Sequence, residues 1–370
     1  MMIKNFILNV VLRIRSVLFN LNGLPIKGGL SNIEECSVED PTMDITHGDV
    51  IHPCVRYIEE GFEGHHWWMV YTPLYDFNEK LENPRLCYSV AEKGGEPTVW
   101  KFYCNITESP QLGYNSDPNI VFHEGKLFVF WRESETENVK DIGACRATYG
   151  CYVQLKKVYK LPNPILFEKE LYSDKEISPT FICQNGNKKA FCMHLLLHHE
   201  RILRLPDFLV WLIYRIYEVT DALGIYNRIR CYGVSIWEGT SFNSSFKYVK
   251  TIKFDGVSRI YSLWHMDLFE ASSLNGNIKN LYAVILNNEK YGDINLACYK
   301  DGECFNFIKM PLVTGRNIGK VRLYKPTAQV VDGKFYLFFT AREKSNMKLN
   351  KLFVTSIEWS KLPLIIDTEL

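Results

Sequence analysis

Residues 115–133, NSDPNIVFHEGKLFVFWRE, hold the pattern on which the fold turns. An Asp-Pro pair opens an alternating apolar run, His-Glu-Gly supplies a turn, and a second apolar run ends in charged residues. Pro is tolerated at the first residue of a strand, where no ladder donor is required. Gly beside an acidic residue suits a tight reversal. The same hairpin recurs as HPCVRYIEEGFEGHHWWMVYTP (52–73), SPTFICQNGNKKAFCMHL (178–195) and KPTAQVVDGKFYLFFTARE (325–343). A further copy, MDLFEASSLNGNIKNLYAVILNN (266–288), keeps the strand–turn–strand form without the Pro.

A third strand-like run follows each hairpin: PRLCYSVAE (84–92), KDIGACRAT (140–148), IRCYGVSIWEG (229–239), INLACYKDG (294–302) and NKLFVTSIEW (350–359). A fourth follows in at least four units: TVWKFY (98–103), YVQLKKVY (152–159), FKYVKTIKF (246–254) and FNFIKMPL (305–312). Units of about four strands repeating at roughly 60 residues predict an all-β fold, a five-bladed β-propeller over residues 45–370. A β-sandwich also uses evenly spaced short strands, but not a repeated Pro-led hairpin.

The repeated strand-opening Pro, the DPNIVFHEGKLFVFW hairpin and the acidic residue ahead of Pro in EISPTFI resemble the five-bladed propellers of glycoside hydrolase families 43, 32, 68 and 130. The resemblance covers about residues 45–360 and specifies a fold more than an activity. In a propeller the inner strands begin at one end of the central axis, so their first residues converge on one funnel. Here these are His52, Asp117, Ser178 with Glu176, Asp267 with His265, and Lys325 with Arg322.

Glycoside hydrolysis needs two carboxyl groups across the scissile bond. The resemblance implies that Asp117 is the orienting carboxylate of the second blade and Glu176 the general acid of the third. Glu176 stands three residues before Pro179, where the family has two. The family's first-blade Asp-Pro base is replaced by His52-Pro53, so Asp49, Asp267 or His52 is the candidate base. His265, Asp267, Arg322, Lys325, Asn83 and Arg132 are candidate substrate-binding residues. The basic pair suits an anionic sugar or a sugar phosphate. These features predict an enzyme cleaving or transferring a glycosyl unit in intracellular glycan or cell-envelope polysaccharide metabolism. The alternatives are a non-catalytic glycan-binding propeller and a protein-interaction propeller.

The net charge of +1, from 43 basic and 42 acidic residues, gives no pull toward nucleic acid. The eleven cysteines contain no CxxC pair, and most lie in apolar strands. This spacing suggests neither a metal cluster nor a disulfide framework, and a cytoplasmic setting is expected. No metal or other cofactor is expected from local motifs.

Residues 1–44 form a lead-in whose first 22 residues place Ile3, Phe6, Ile7, Val10, Val11 and Ile14 at helical spacing. Arg13 and Arg15 interrupt the apolar run, which argues against an export signal or a spanning helix. The third unit is lengthened by an insertion at 196–228, with Pro206 and Gly224 as helix start and stop signals. Segments 1–22 and 201–223 thus suggest a contact with a membrane surface, its inner face, or with a lipid-linked glycan.

Overall fold

The computed structural model describes residues 29–111, 113–134, 147–162, 165–166, 174–184, 186–197, 229–256, 263–272, 279–287, 292–300, 302–308 and 310–363. The helix expected over 1–22 and residues 198–228 of the expected insertion lie outside them. The chain is a five-bladed β-propeller. Its inner strands are Ile51–Phe62, Tyr114–His123, Asp174–Gln184, Leu263–Ser272 and Val321–Val331. They touch one another in that order, and the fifth touches the first, so the ring is closed.

Each inner strand pairs antiparallel with the next strand of its own blade: His65–Thr72, Lys126–Ser134, Asn187–Leu197, Lys279–Asn287 and Lys334–Glu343. Turns at Glu63-Gly64, Glu124-Gly125 and Asp332-Gly333 have both central φ angles positive, the two-residue form that matches strand twist. The third strands are Arg85–Ser89, Ala147–Gln154, Ile229–Gly239, Asp293–Lys300 and Asn346–Glu358.

In the second blade the expected boundary moves. A turn at Leu155 and Lys156, with φ of 47° and 60°, splits the run 152–159. The third strand therefore ends at Gln154, and Lys157–Lys160 forms the fourth.

Ring closure uses a segment whose strands the sequence pattern did not show. Glu34–Glu35 adds to the outer strand of the fifth blade, pairing with Phe353 and Val354. Immediately afterwards, Ser37–Glu39 pairs in parallel with Val99–Lys101 of the first blade. The third and fourth blades share one continuous sheet through the parallel contact of Lys253–Asp255 with Cys304–Asn306.

The core lies between blades. Five apolar clusters are each shared by one adjacent pair, such as Trp68, Val70, Val129 and Trp131 between first and second. Both faces of each sheet are therefore buried, which explains continuous apolar runs such as FVFW and YLFF in place of strict alternation. Trp67 and Trp68 are wholly buried on opposite faces of one strand. Each such side chain contributes on the order of 2–3 kcal/mol through burial.

Candidate active site

One irregularity repeats in all five blades and brings side chains together where the inner strands begin. Each inner strand advances three residues while its partner advances two: Ile51 to Cys54 opposite Thr72 to Val70, and Ser116 to Asn119 opposite Arg132 to Phe130. The same step separates Ile177 from Thr180, Leu263 from Met266 and Tyr324 from Thr327. The residues outside the ladder are His52-Pro53, Asp117-Pro118, Ser178-Pro179, Trp264-His265 and Lys325-Pro326. Such β-bulges re-aim a side chain. They also explain the recurrent proline, since a residue without an N–H loses nothing where the ladder is already interrupted.

His52, Asp117 and Ser178 take φ of 53°, 51° and 48°. Residues with a Cβ seldom adopt this region, and such strain concentrates at functional sites.

The bulges bring His52, Asp117 and His265 together from the first, second and fourth blades. Asp117 Oδ1 lies 3.6 Å from His52 Nε2 and 3.6 Å from His265 Nδ1. The three ligand atoms all lie within 4.8 Å of one another, and all three residues are buried. Asp117 Oδ2 faces Arg132 Nε at 3.2 Å and accepts from the Ser178 N–H at 3.4 Å. His52 Nδ1 is 3.1 Å from Thr72 Oγ1 and 3.9 Å from Glu82 Oε2. His265 Nδ1 also meets Ser178 Oγ. Tyr324 packs against both imidazoles, with ring centroids 5.3 Å from His52 and 4.5 Å from His265.

The electrostatics are uneven. Burial alone would raise the Asp117 carboxyl, but Arg132, His52, His265 and Lys325 hold it far below the usual carboxylate range. Burial pushes His52 down to about 3, against the opposing pull of Asp117. It likewise keeps His265 well below its ordinary value. Glu82 is pushed well above the carboxylate range by burial and then by the Asp117 charge. The surroundings thus favour the ionised form of Asp117, the neutral forms of His52 and His265, and the protonated form of Glu82. Asp117 Oδ1, His265 Nε2 and Glu82 Oε2 are buried and have no hydrogen-bond partner among the described residues.

A second tier below the bulges ties the ring together. Arg56 grips Asp267 with two bonds of 2.7 Å, and Thr327 Oγ1 donates to the same carboxylate at 2.6 Å. Lys325 is buried here, with Nζ donating to the Pro118 carbonyl at 3.0 Å. Asn119 accepts from the Phe181 N–H and donates to Cys54 Sγ, linking three blades.

Of the sequence-predicted residues, His52, Asp117, His265 and Arg132 form the central cluster, with Lys325 beneath it. Glu176 stands two residues before the bulged Ser178. Its carboxylate pairs with His194 Nδ1 at 3.0 Å and accepts from Ser235 Oγ at 2.9 Å and 3.0 Å. Asp49 accepts from the Asn350 N–H and side-chain amide and from the Leu74 N–H, a clasp between the first and fifth blades. Asp267 is engaged by Arg56. Asn83 bridges the Thr107 carbonyl and Asn115. Arg322 is exposed at the rim beside Phe77.

Tyr324, Thr72 and the Arg56 partnership were missed by the sequence reading. Aligning the fourth hairpin on its bulge would have placed His265 at the proline position of the other blades.

No family model matches the sequence, and no curated protein is similar to it. Solved structures do share its fold. An N-acetylgalactosamine deacetylase from F. plautii, in complex with blood group B trisaccharide, aligns over 92% of this chain and 97% of its own, with TM-score 0.59 and 13% identity. A GH43_1 enzyme from Xanthomonas citri aligns over 84% and 89%, with TM-score 0.53 and 9% identity. The Cellvibrio cellulosa alpha-L-arabinanase complexed with arabinohexaose aligns over 82% and 90%, with TM-score 0.51 and 12% identity. At these identities the likeness is one of fold, the glycosidase-type propeller expected from the repeat.

Proposed function

We propose that this protein is a glycan-acting hydrolase whose funnel holds a divalent cation on His52, Asp117 and His265 and which removes an acyl group, such as N-acetyl, from a sugar. One observation carries the reading: a buried carboxylate oxygen without a donor sits 3.6 Å from each of two imidazole nitrogens. That spacing is long for hydrogen bonds. It fits ligands sharing one ion, since metal–nitrogen bonds of 2.0–2.1 Å place tetrahedral neighbours about 3.4 Å apart. Two neutral imidazoles and a carboxylate are a donor set for zinc or a similar borderline cation. A cation bound there would polarise an amide or ester carbonyl and ease ionisation of water.

The chain's own groups prepare that chemistry. With a cation on Nε2, His52 would carry its proton on Nδ1 and donate it to Thr72 Oγ1, 3.1 Å away. Arg132 fixes the outer oxygen of Asp117. In this reading Glu176, held by Ser235 and His194, would hand a proton to the departing amine. The deacetylase among the structural neighbours supports this reading through its fold.

Glycosidic-bond cleavage is the second reading. It is favoured by two buried carboxyls, Glu82 and Asp117, that approach His52 on its two ring nitrogens, and by the glycosidase neighbours. The products separate the two readings. Purified protein is incubated with N-acetylated and unsubstituted oligosaccharides, and acetate and new reducing ends are measured. Acetate release abolished by a chelator and restored by zinc or manganese supports deacylation. New reducing ends that survive the chelator overturn it in favour of the second reading. Glu176→Gln is expected to lower turnover by about 10²–10⁴-fold with binding retained.

A further inference from the structure

The rim beside the funnel gathers positive charge that the scaffold does not neutralise. The strand-to-strand connection of the first blade that carries Tyr75–Phe77 presents Phe77, which is 52% exposed. The Arg342 and Arg322 guanidiniums lie 4.0 Å and 5.3 Å from the centre of its ring. Arg322 reaches it because a second bulge of the fifth inner strand, between Val321 and Tyr324, gives Arg322 a φ of 50°. Asp76 and Phe77 also carry positive φ, 53° and 61°. Three residues of positive φ thus set one exposed aromatic ring beside two cations.

Every acid close by is engaged elsewhere. Asp76 pairs with Lys348 at 2.6 Å, Glu343 pairs with Lys320, and Asp49 accepts the Asn350 and Leu74 donors. Arg342 is 2% exposed, and it donates to the neutral Asn350 Oδ1 at 2.8 Å and the Met347 carbonyl at 2.6 Å. Among the described residues no carboxylate forms an ion pair with either arginine. Burial, and then the charge of Arg322, lower the Arg342 guanidinium from its ordinary value, although Asp49 opposes this. The patch adjoins the His52–Asp117–His265 cluster through Tyr324, which closes the same bulge as Arg322 and packs on both central histidines.

We infer that Phe77 and Arg322, with the buried Arg342 adding positive charge beneath them, form a subsite for an anionic sugar unit, with the sugar against the exposed Phe77 ring and its carboxylate or phosphate on the Arg322 guanidinium. The inference rests on the glycan reading above and refines its substrate class. It also divides the charge expected from Arg322 and Lys325: the lysine is buried at the centre, and Arg322 stays at the rim with the buried Arg342 beside it. Planar guanidiniums suit bidentate capture of either anion.

The test measures calorimetric affinity for three probes on the full chain: a neutral N-acetylated oligosaccharide, its uronate-containing analogue and its phosphate-bearing analogue. At least one charged probe is expected to bind about tenfold or more tighter than the neutral one. That margin is expected to shrink with added salt. Arg322→Gln and, separately, Phe77→Leu are expected to reduce the margin, and their exposed positions leave the core intact. Which charged probe wins assigns the anion. Equal affinity for all three probes overturns the subsite and leaves the glycan reading standing. Binding to none of them overturns both.

Discussion

Thr72 Oγ1 lies 3.1 Å from His52 Nδ1 and decides which ring nitrogen faces the funnel centre. Thr72 is wholly buried, and it sits opposite the residue that opens the first bulge. Thr72→Val keeps the shape and removes the partner. The imidazole is then free to reorient toward Glu82 Oε2, 3.9 Å away. Loss of a partner that orients a metal-ligating histidine typically weakens cation affinity by 10–100-fold. Zinc titration of Thr72→Val against the unaltered protein is expected to show a loss of this size, with the unfolding midpoint little changed. Unaltered zinc affinity would remove Thr72 from this role.

The Arg56–Asp267 pair spans the axis from the first blade to the fourth, with Thr327 of the fifth completing it. Breaking a buried pair from one side strands a charge and costs about 3–5 kcal/mol, whereas replacing both partners with apolar residues is often close to neutral. Asp267→Asn is therefore expected to lower unfolding free energy by that amount. Arg56→Met combined with Asp267→Leu is expected to recover most of it. Denaturant unfolding of Arg56→Met, Asp267→Leu and the double variant measures the coupling. Additive losses would show that the pair does not act as a unit.

How much of this was legible in the sequence depends on whether a signal was local. The hairpin with its leading Pro is local, and it led directly to the propeller and to His52 and Asp117 as funnel residues. His265 was reached only as a neighbour of Asp267, because the fourth blade has Trp264-His265 where the others have a residue followed by Pro. The hairpin pattern put Asp267 and Lys325 at the same strand starts as Asp117, as substrate-binding candidates. Their burial below the bulges depends on the three-against-two step, which only the register reveals. The His52–Asp117–His265 cluster joins positions 52, 117 and 265, so no metal-ligand spacing could announce it. The strands at 34–39 escaped notice because they are too short to show alternation and take their meaning from partners at 99–101 and 353–354.

Acid sensitivity is expected to include a contribution from Asp40. Its carboxylate accepts from the Thr42 N–H at 2.7 Å, the Tyr71 hydroxyl at 2.5 Å and Arg85 Nη1 at 2.6 Å. Burial would raise it, but these bonds outweigh burial and leave it below the ordinary carboxylate value. A depressed folded-state value means the stabilisation is complete above the unfolded value, about 3.9, and fades as pH falls through the lower folded value. Asp40→Asn is expected to be less stable at pH 7, with the gap to the unaltered protein narrowing below about pH 4. Urea midpoints taken from pH 7 to pH 3 test this. A gap that stays constant across the range would show that the clasp does not depend on its charge.

Closure of the ring gives the last test. Residues 34–39 serve two blades in succession: Glu34 and Glu35 pair with Val354 and Phe353, and Ser37–Glu39 pair with Val99–Lys101. Between them Cys36 donates its N–H to the Leu352 carbonyl at 2.9 Å and buries its side chain in the apolar cluster shared by the first and fifth blades. Without this segment the fifth blade has three strands, and its outermost, Asn346–Glu358, becomes an exposed edge. Two truncations separate this role from other effects of shortening. A chain beginning at Gly29 retains both closing strands, and one beginning at Asp40 lacks them. The second is expected to melt more than about 5 °C below the first, the shift that loss of a few kcal/mol produces in a chain of this size. Equal melting temperatures would show that the inter-blade cores alone hold the ring shut.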